Sequence, residues 1–298
     1  MKRKNAIGDS KGDKVYYVVC GTIVVVLTLL VLYPLVYVLS ASFSTAQAVT
    51  SGRMWLWPVD LTLVGYKYIL NYRNIWIGYR NTIFYSIGST VIGVALSMIC
   101  AYPLSRKGLR GRKFFSLIFT FTMIFSGGMI PSYILMKNLR LLNTVWVMLI
   151  PGAMSVYNMI IARTFIQNTI PEELYEASRI DGCSDVVFFF KILLPLSVTI
   201  IAVLSMTYLA AHWNEYFNAF LYLSNKNKYP LQIFLREILI NNSFDADMLD
   251  PEAAEQLQTL QLLLKYSIIV VSTAPMLCIF PFFHKYFQKG VMIGSVKG

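Results

Sequence analysis

Two histidines, His212 and His284, stand far apart in the 298-residue chain, and the four cysteines, Cys20, Cys100, Cys183 and Cys278, share no CxxC spacing. That pattern supports neither a short Cys/His metal motif nor a disulfide framework, and the cysteines read as packing residues. A phosphate-cradling G-x-x-x-x-G-K-[S/T] loop is absent, and the closing Gly294-Ser295-Val296-Lys297-Gly298 does not supply one. What remains is a run of mechanical rather than catalytic character, from Thr169 to Pro195. Thr169-Ile170-Pro171-Glu172 has the form of a capping box, with Thr169 as cap, Pro171 needing no amide donor and Glu172 reaching back. Glu172, Glu173 and Glu176 suit the positive end of a helix. That helix is predicted to run through Ala177, Ser178 and Asp181 to Gly182, whose freedom at positive φ ends it. Ser184 or Asp185 can cap a second helix, apolar through Val187, Phe188 and Phe190, and Pro195 marks a bend. A lone helix of about ten residues is marginal in water, so it needs something to hold it. Two holders are open: the chain's own bundle, or a separate protein that docks on it.

Two further constellations are polar without being catalytic. His212-Trp213-Asn214-Glu215, with Asn218 one helical turn beyond Asn214, combines an aromatic face with hydrogen-bonding groups. It reads either as lining of a pathway or as an interfacial anchor and helix–helix bond. Ser126-Gly127-Gly128 interrupts an apolar stretch, which fits an unwound pathway segment or close helix packing through small residues.

The elements that must carry these groups are set by the solvent. Apolar residues make up 56% of the chain and charged residues 14%, against about 25% in soluble domains, so the bilayer is the expected surroundings. Six windows lack Asp, Glu, Lys and Arg: Val15–Gly52, Asn81–Ser105, Phe114–Met136, Leu141–Ala162, Ile192–Asn214 and Tyr266–His284. Each reaches the roughly 18 residues a spanning helix needs. In the first, Ala41–Gly52 is rich in Ser and Thr and reads as exit from the membrane. It is also too long for a signal peptide. The prediction is an all-α polytopic membrane protein with six transmembrane helices. The net charge of +11 gathers at span ends. Sixteen Lys and Arg fall on the side carrying both termini and eight on the other, the basic Arg106–Lys113 segment weighing most. By the positive-inside rule both termini are cytoplasmic, and so is the Thr169–Pro195 loop. Nucleic acid is not an expected partner. Trp55, Trp57 and Trp76, and the acidic Asp245, Asp247, Asp250, Glu252 and Glu255, then lie outside.

On these residues the chain resembles the permease subunits of ABC importers. Glu176-Ala177-Ser178, Gly182 and Ile192-Leu193-Leu194-Pro195 match their EAA signature, E-A-A-x3-G-x9-I-x-L-P, with Ser178 replacing the last alanine. Arg179-Ile180-Asp181-Gly182 and the tail Tyr286–Gly298 look like the carbohydrate-uptake branch, the subunit equivalent to the second permease of maltose-type importers. Gly127-Gly128-Met129-Ile130-Pro131 and His212-Trp213-Asn214-Glu215 look like the subgroup handling complex or acidic oligosaccharides.

The resemblance implies a binding-protein-dependent permease of the bacterial cytoplasmic membrane, not an enzyme, forming half of a translocation pathway for a carbohydrate. Its ATPase-coupling residues would be Glu173, Glu176, Ala177, Ser178, Asp181 and Gly182, with Thr169, Pro171 and Pro195 shaping the loop. Substrate would pass His212, Trp213, Asn214, Glu215, Asn218, Gly127 and Gly128. The implied partners are a homologous second permease, two ATPase subunits carrying ATP and Mg, an extracytoplasmic solute-binding protein, the carbohydrate and membrane lipid. No cofactor is expected on this chain. Any side chain at Gly182 is expected to bring strain or a clash. Pro230-Leu231-Gln232 resembles a segment that faces the binding protein.

The implied organisation is a cytoplasmic tail over 1–14, a six-helix domain over 15–285 and a tail over 286–298. Within the domain lie a core of about 79–285, the coupling loop 165–195 and an outer loop 218–262. A permease for another solute fits the tail and the Ile180-Asp181-Gly182 context less well. A secondary transporter or channel would want charges within its spans or inverted repeats, and an enzyme a polar catalytic group; the windows offer none of these.

Overall fold

The computed structural model describes residues 11–240 and 251–295, which form helices and turns with one isolated antiparallel bridge between Ser44 and Leu61 among them. In chain order the helices are α1 (Lys11–Ser42), α2 (Ala46–Thr50), α3 (Val64–Asn71), α4 (Arg73–Ser105), α5 (Arg112–Ile124), α6 (Met129–Asn138) and α7 (Trp146–Leu149). They continue with α8 (Val156–Thr169), α9 (Glu172–Ile180), α10 (Asp185–Phe188), α11 (Leu194–Leu196), α12 (Val198–Trp213), α13 (Phe217–Tyr222), α14 (Leu231–Ile240) and α15 (Pro251–Ser295). The acidic outer residues Asp245, Asp247 and Asp250 lie outside the described residues, as do the side chains of Glu252 and Glu255, residues 1–10 of the N-terminal tail and residues 296–298 of the C-terminal one.

The chain divides into two units, 1–71 with 238–272, and 72–237 with 273–298. In the first, α1 is apolar on every face and almost none of it is buried, as expected of a helix whose solvent is lipid. It ends at Ser42 because the Ser- and Thr-rich segment after it turns back on itself. Thr45 caps α2, and the Thr62 amide donates to the Phe43 carbonyl at 2.9 Å. Ala41, Ala48, Val49 and Met54 form its small core with Leu262 and Tyr266. Trp55 and Trp57 remain exposed, as interfacial anchors do.

The second unit is built on α4, which packs along α8 and α12. Lipid tails are as apolar as a leucine, so burial drives helix association weakly in a membrane and close contact must do more. The sequence supplies that contact through Ser89, Gly93, Ser97 and Ala101, small residues at every fourth position on the buried face of α4. A Cβ on Gly93 would stand 2.8 Å from the Ala153 carbonyl oxygen and 2.8 Å from the Tyr208 ring. Ser97 Oγ and Tyr208 Oη bond at 2.7 Å inside the contact, and Tyr208 also accepts the Ser155 amide at 2.8 Å. Met98, Leu104, Met159, Ile166, Ile200 and Leu204 fill the spaces around them.

Three described helical segments are long and apolar enough to cross a membrane: Gly12–Ser42, Arg73–Ser105 and Gln261–Phe283. Two bent pairs raise the count to five, α5 with α6 at 109° and Asp185–Leu196 with α12 at 79°. Beyond the bend expected near Pro195, the sequence windows differ from this in two places. Leu141–Ala162 is not one helix: α7 stops, the chain turns through Pro151 and Gly152, and Ser155 caps α8 by accepting the Asn158 amide. Proline has no amide to continue α7, which a count of charges does not register. Phe114–Met136 breaks at Phe125–Gly128, where Gly128 takes φ +85°. The residues after 285, expected as a tail, continue α15 as helix to Ser295.

Candidate functional site: the loop between α8 and α12

The helix α9 is reached through a corner. Ile170 is extended because a residue before proline avoids the helical region, and its amide ends α8 on the Ile166 carbonyl. Pro171 occupies the cap position of α9, with φ −59° and ψ 144°. The predicted capping box therefore does not form. Thr169 is the last residue of α8, and Ile170 cannot serve as the first residue of a helix while Pro171 follows it. Glu172 instead meets Lys107 at 2.5 Å. That bond, and the charge of Glu172 with it, raises the Lys107 ammonium pKa.

The far end of α9 closes in a Schellman motif. The Gly182 amide donates to the Arg179 carbonyl at 3.1 Å and the Cys183 amide to the Ser178 carbonyl at 2.9 Å, with Gly182 at φ +77°. A side chain at Gly182 would be strained by that φ, but among the described residues nothing beyond its chain neighbours lies within 4 Å of where its Cβ would be. Of the strain or clash expected there, the chain itself supplies the strain, and the space beside Gly182 is open. Ser184, not Asp185, caps α10 by accepting the Val187 amide at 3.3 Å.

Freed from capping, Asp185 joins three elements. Its Oδ1 accepts the hydroxyls of Tyr175 on α9 at 2.8 Å and Tyr102 on α4 at 3.3 Å, and Arg179 stands 3.8 Å from its Oδ2. The bond to Asp185, and then burial, push the Tyr175 phenol above its usual range. Behind this carboxylate lies a cage. The Arg106 guanidinium sits 4.3 Å from the centre of the Tyr175 ring, 4.9 Å from Phe188 and 5.1 Å from Tyr102. Its Nε and one terminal nitrogen are buried without a hydrogen-bond partner, so the rings are what they face. Cation–π contacts reach about 2 kcal/mol when desolvated. The exposed Lys107–Glu172 pair is screened by water and holds weakly. The cage, with fully buried Phe188, is therefore the stronger hold on α9.

The hold is one-sided. Ser178 is the only buried residue of α9. Glu173, Glu176 and Ala177 are exposed, and Ile180 is 87% exposed although it is apolar. Beyond α10 the chain passes through a π-helical turn, Phe189–Leu193, and Pro195, then bends at Ser197 into α12. Tyr102, Arg106, Tyr175, Phe188 and Asp185 were not singled out for this role in the sequence. Only the spacing of Tyr102 and Arg106, one turn apart at the end of a span, hints at it.

At the other end of α12 the second constellation comes only partly together. Trp213 is 3% exposed and packs against Tyr79, with ring centres 6.4 Å apart, so within this chain it supports the site rather than facing it. Asn214 is exposed and His212, Glu215 and Asn218 are half-buried. Asn214 and Asn218 do not share a helix face, because α12 stops at Trp213 and α13 begins at Phe217. Glu215 makes the join by accepting the Asn218 amide at 3.2 Å. Gln232 donates toward the Trp213 carbonyl and Asn214 Oδ1, both at 3.5 Å. Leu231, expected to face a partner, is fully buried against α4 and gives its amide to Thr82. Gly127 and Gly128 lie on a separate segment, the break between α5 and α6, and both are exposed. A Cβ on either would meet nothing of this chain closer than 3.9 Å, so tight packing within the chain does not account for them.

The chain is similar to known proteins over most of its length. Residues 93–293 match the family described as binding-protein-dependent transport system inner membrane component. The chain is 40% identical to the polygalacturonan/rhamnogalacturonan transport system permease protein YtcP of Bacillus subtilis (strain 168), over 91% of this chain and 94% of that one. It is 28% identical to the arabinooligosaccharides transport system permease protein AraQ of Halalkalibacterium halodurans, over 89% and 91%. Among solved structures, a bacterial ABC transporter involved in import of the acidic polysaccharide alginate contains a chain with TM-score 0.84 and 32% identity, covering 95% of this chain and all of that one.

Proposed function

The chain belongs to the family of binding-protein-dependent transport system inner membrane components, the multi-pass permease subunits of ABC importers, and on that premise we propose that it forms half of the import pathway for an oligosaccharide, acidic rather than neutral. The acidic assignment rests on the polygalacturonan/rhamnogalacturonan and alginate systems, whose permeases are 40% and 32% identical to this chain. In this reading the chain crosses the membrane six times with both termini cytoplasmic. The fourth crossing is made by α7 and α8 together, and the third and fifth by the two bent pairs.

The observation that carries the mechanism is the one-sided hold on α9. A helix fixed along one edge by the Arg106 cage, and bare along the edge carrying Glu173, Glu176, Ala177 and Ile180, is shaped to enter a cleft on another protein. That protein is a cytoplasmic ATPase subunit, one of two that bind ATP and Mg. Closure of the ATPases moves α9. The move passes through Asp185 and the Arg106 cage to α4, and through Phe188 and the π-helical turn to α12. A second, homologous permease supplies the other half of the pathway, and an extracytoplasmic binding protein delivers the sugar. His212, Asn214, Glu215 and Asn218 line the outer approach with Trp213 behind them, while Gly127 and Gly128 leave backbone open at the break between α5 and α6.

Uptake of labelled oligogalacturonides by cells with and without the gene tests the substrate class. Loss of that uptake with retained neutral-oligosaccharide uptake is the expected result; loss of neutral uptake alone would overturn the acidic assignment.

A further inference from the structure

We propose that the foot of α5 is a binding site for the headgroup of one anionic phospholipid of the cytoplasmic leaflet, held by Arg112, Lys113 and Arg163. A recess of about 770 Å³ opens there, lined by these three cations, Ser116, Leu117 and Lys107 among others. No carboxylate lines it. Lys107 is committed to Glu172, while no ion pair among the described residues takes up Arg112, Lys113 or Arg163. Arg163 is anchored from α8 by donating Nη1 to Ser116 Oγ at 3.2 Å, and its Nε is buried with no partner. Arg112 is near enough to repel it. Two guanidiniums and an ammonium gathered without an anion form an arrangement that a bound phosphate would relieve, the more so where a guanidinium nitrogen has already lost its water.

The surroundings select a lipid phosphate over a free one. The helix rising from the recess carries Phe114, Phe115, Leu117, Ile118 and Phe121 beyond its two cations, and buries none of its residues in this chain. A headgroup in the recess would lay its acyl chains along that face. A phosphate ion would leave it uncovered. Clusters of Lys and Arg at the cytoplasmic end of a span attract anionic lipid by roughly a few-fold in affinity per charge, and a recess that orients three of them adds geometry to that attraction.

The inference rests on the cytoplasmic placement of this end of the chain, which thiol labelling of Cys183 checks independently. The test uses the assembled transporter in nanodiscs, with a photoreactive residue in place of Leu117. In discs containing phosphatidylglycerol among phosphatidylcholine, crosslinking to phosphatidylglycerol is expected to exceed its share of the bilayer. The Arg112→Gln/Arg163→Gln variant should lose about tenfold of that preference. The Arg112→Lys/Arg163→Lys variant, which keeps the charge, should retain most of it and shows that loss is not misfolding. Millimolar inorganic phosphate should not compete. Crosslinking to phosphatidylcholine in proportion to its abundance, to another protein subunit, or equally in all variants would overturn the proposal, as would competition by phosphate.

Discussion

Arg106 and Gly182 hold α9 from opposite ends, and their substitution should fail in different ways. Arg106→Ala removes the cation from between Tyr102, Tyr175 and Phe188 and leaves a cavity beside a fully buried ring. The protein should still insert, while the ATP hydrolysed per sugar imported rises several-fold because α9 moves without carrying α4. Arg106→Lys should recover only part of the coupling, since an ammonium lacks the planar face that stacks on rings. Measured stoichiometry in proteoliposomes decides; an unchanged ratio in Arg106→Ala would return the cage to mere packing. Gly182→Trp places a large side chain at φ +77°, costing about 1–2 kcal/mol of local strain, and fills the open space beside the turn. Uptake should fall sharply with the subunit still in the membrane, and co-purification of the ATPases should fall with it. The glycine was legible in the sequence because helix termination needs that residue at that place. The Arg106 cage was not: residues 106, 175 and 188 meet only through the fold, and a basic cluster reads first as a topology signal.

Among the elements, the breaks carry as much information as the helices. α5 and α6 meet at 109° around Gly128, whose φ of +85° no β-branched residue adopts readily. Gly128→Val should therefore slow transport while leaving ATPase association intact, measured as initial uptake rate against co-purified subunit. Normal uptake would remove the break from the pathway. The packing of α4 makes a contrasting expectation. A Cβ at Gly93 meets backbone and ring at 2.8 Å, so Gly93→Leu should reduce the amount of folded protein itself, read by size-exclusion profile. Hydropathy windows made α1, α4 and the apolar part of α15 legible, because a long uncharged run has one plausible fate in lipid. The same windows passed over Pro151-Gly152, since neither residue is charged and the break is a matter of backbone donors. Thr169 failed as a cap for a related reason: the capping-box pattern was present, but Pro171 fixed its neighbour outside the helical region. The burial of Trp213 within the chain is a property that a single sequence does not display.

For the molecule as a whole, composition was enough to place the chain in a membrane, and the distribution of Lys and Arg predicts a cytoplasmic Thr169–Pro195 loop. In a background with the other cysteines replaced, Cys183 should react with an impermeant maleimide only in inside-out vesicles. The central claim goes further, that α9 docks into a separate ATPase instead of packing on its own bundle. The most direct measurement is a photoreactive residue at Ala177 in the assembled transporter, followed by identification of what it captures. The expected product joins this chain to an ATPase subunit, in high yield and sensitive to ATP. Capture confined to this chain itself or to lipid would contradict the account.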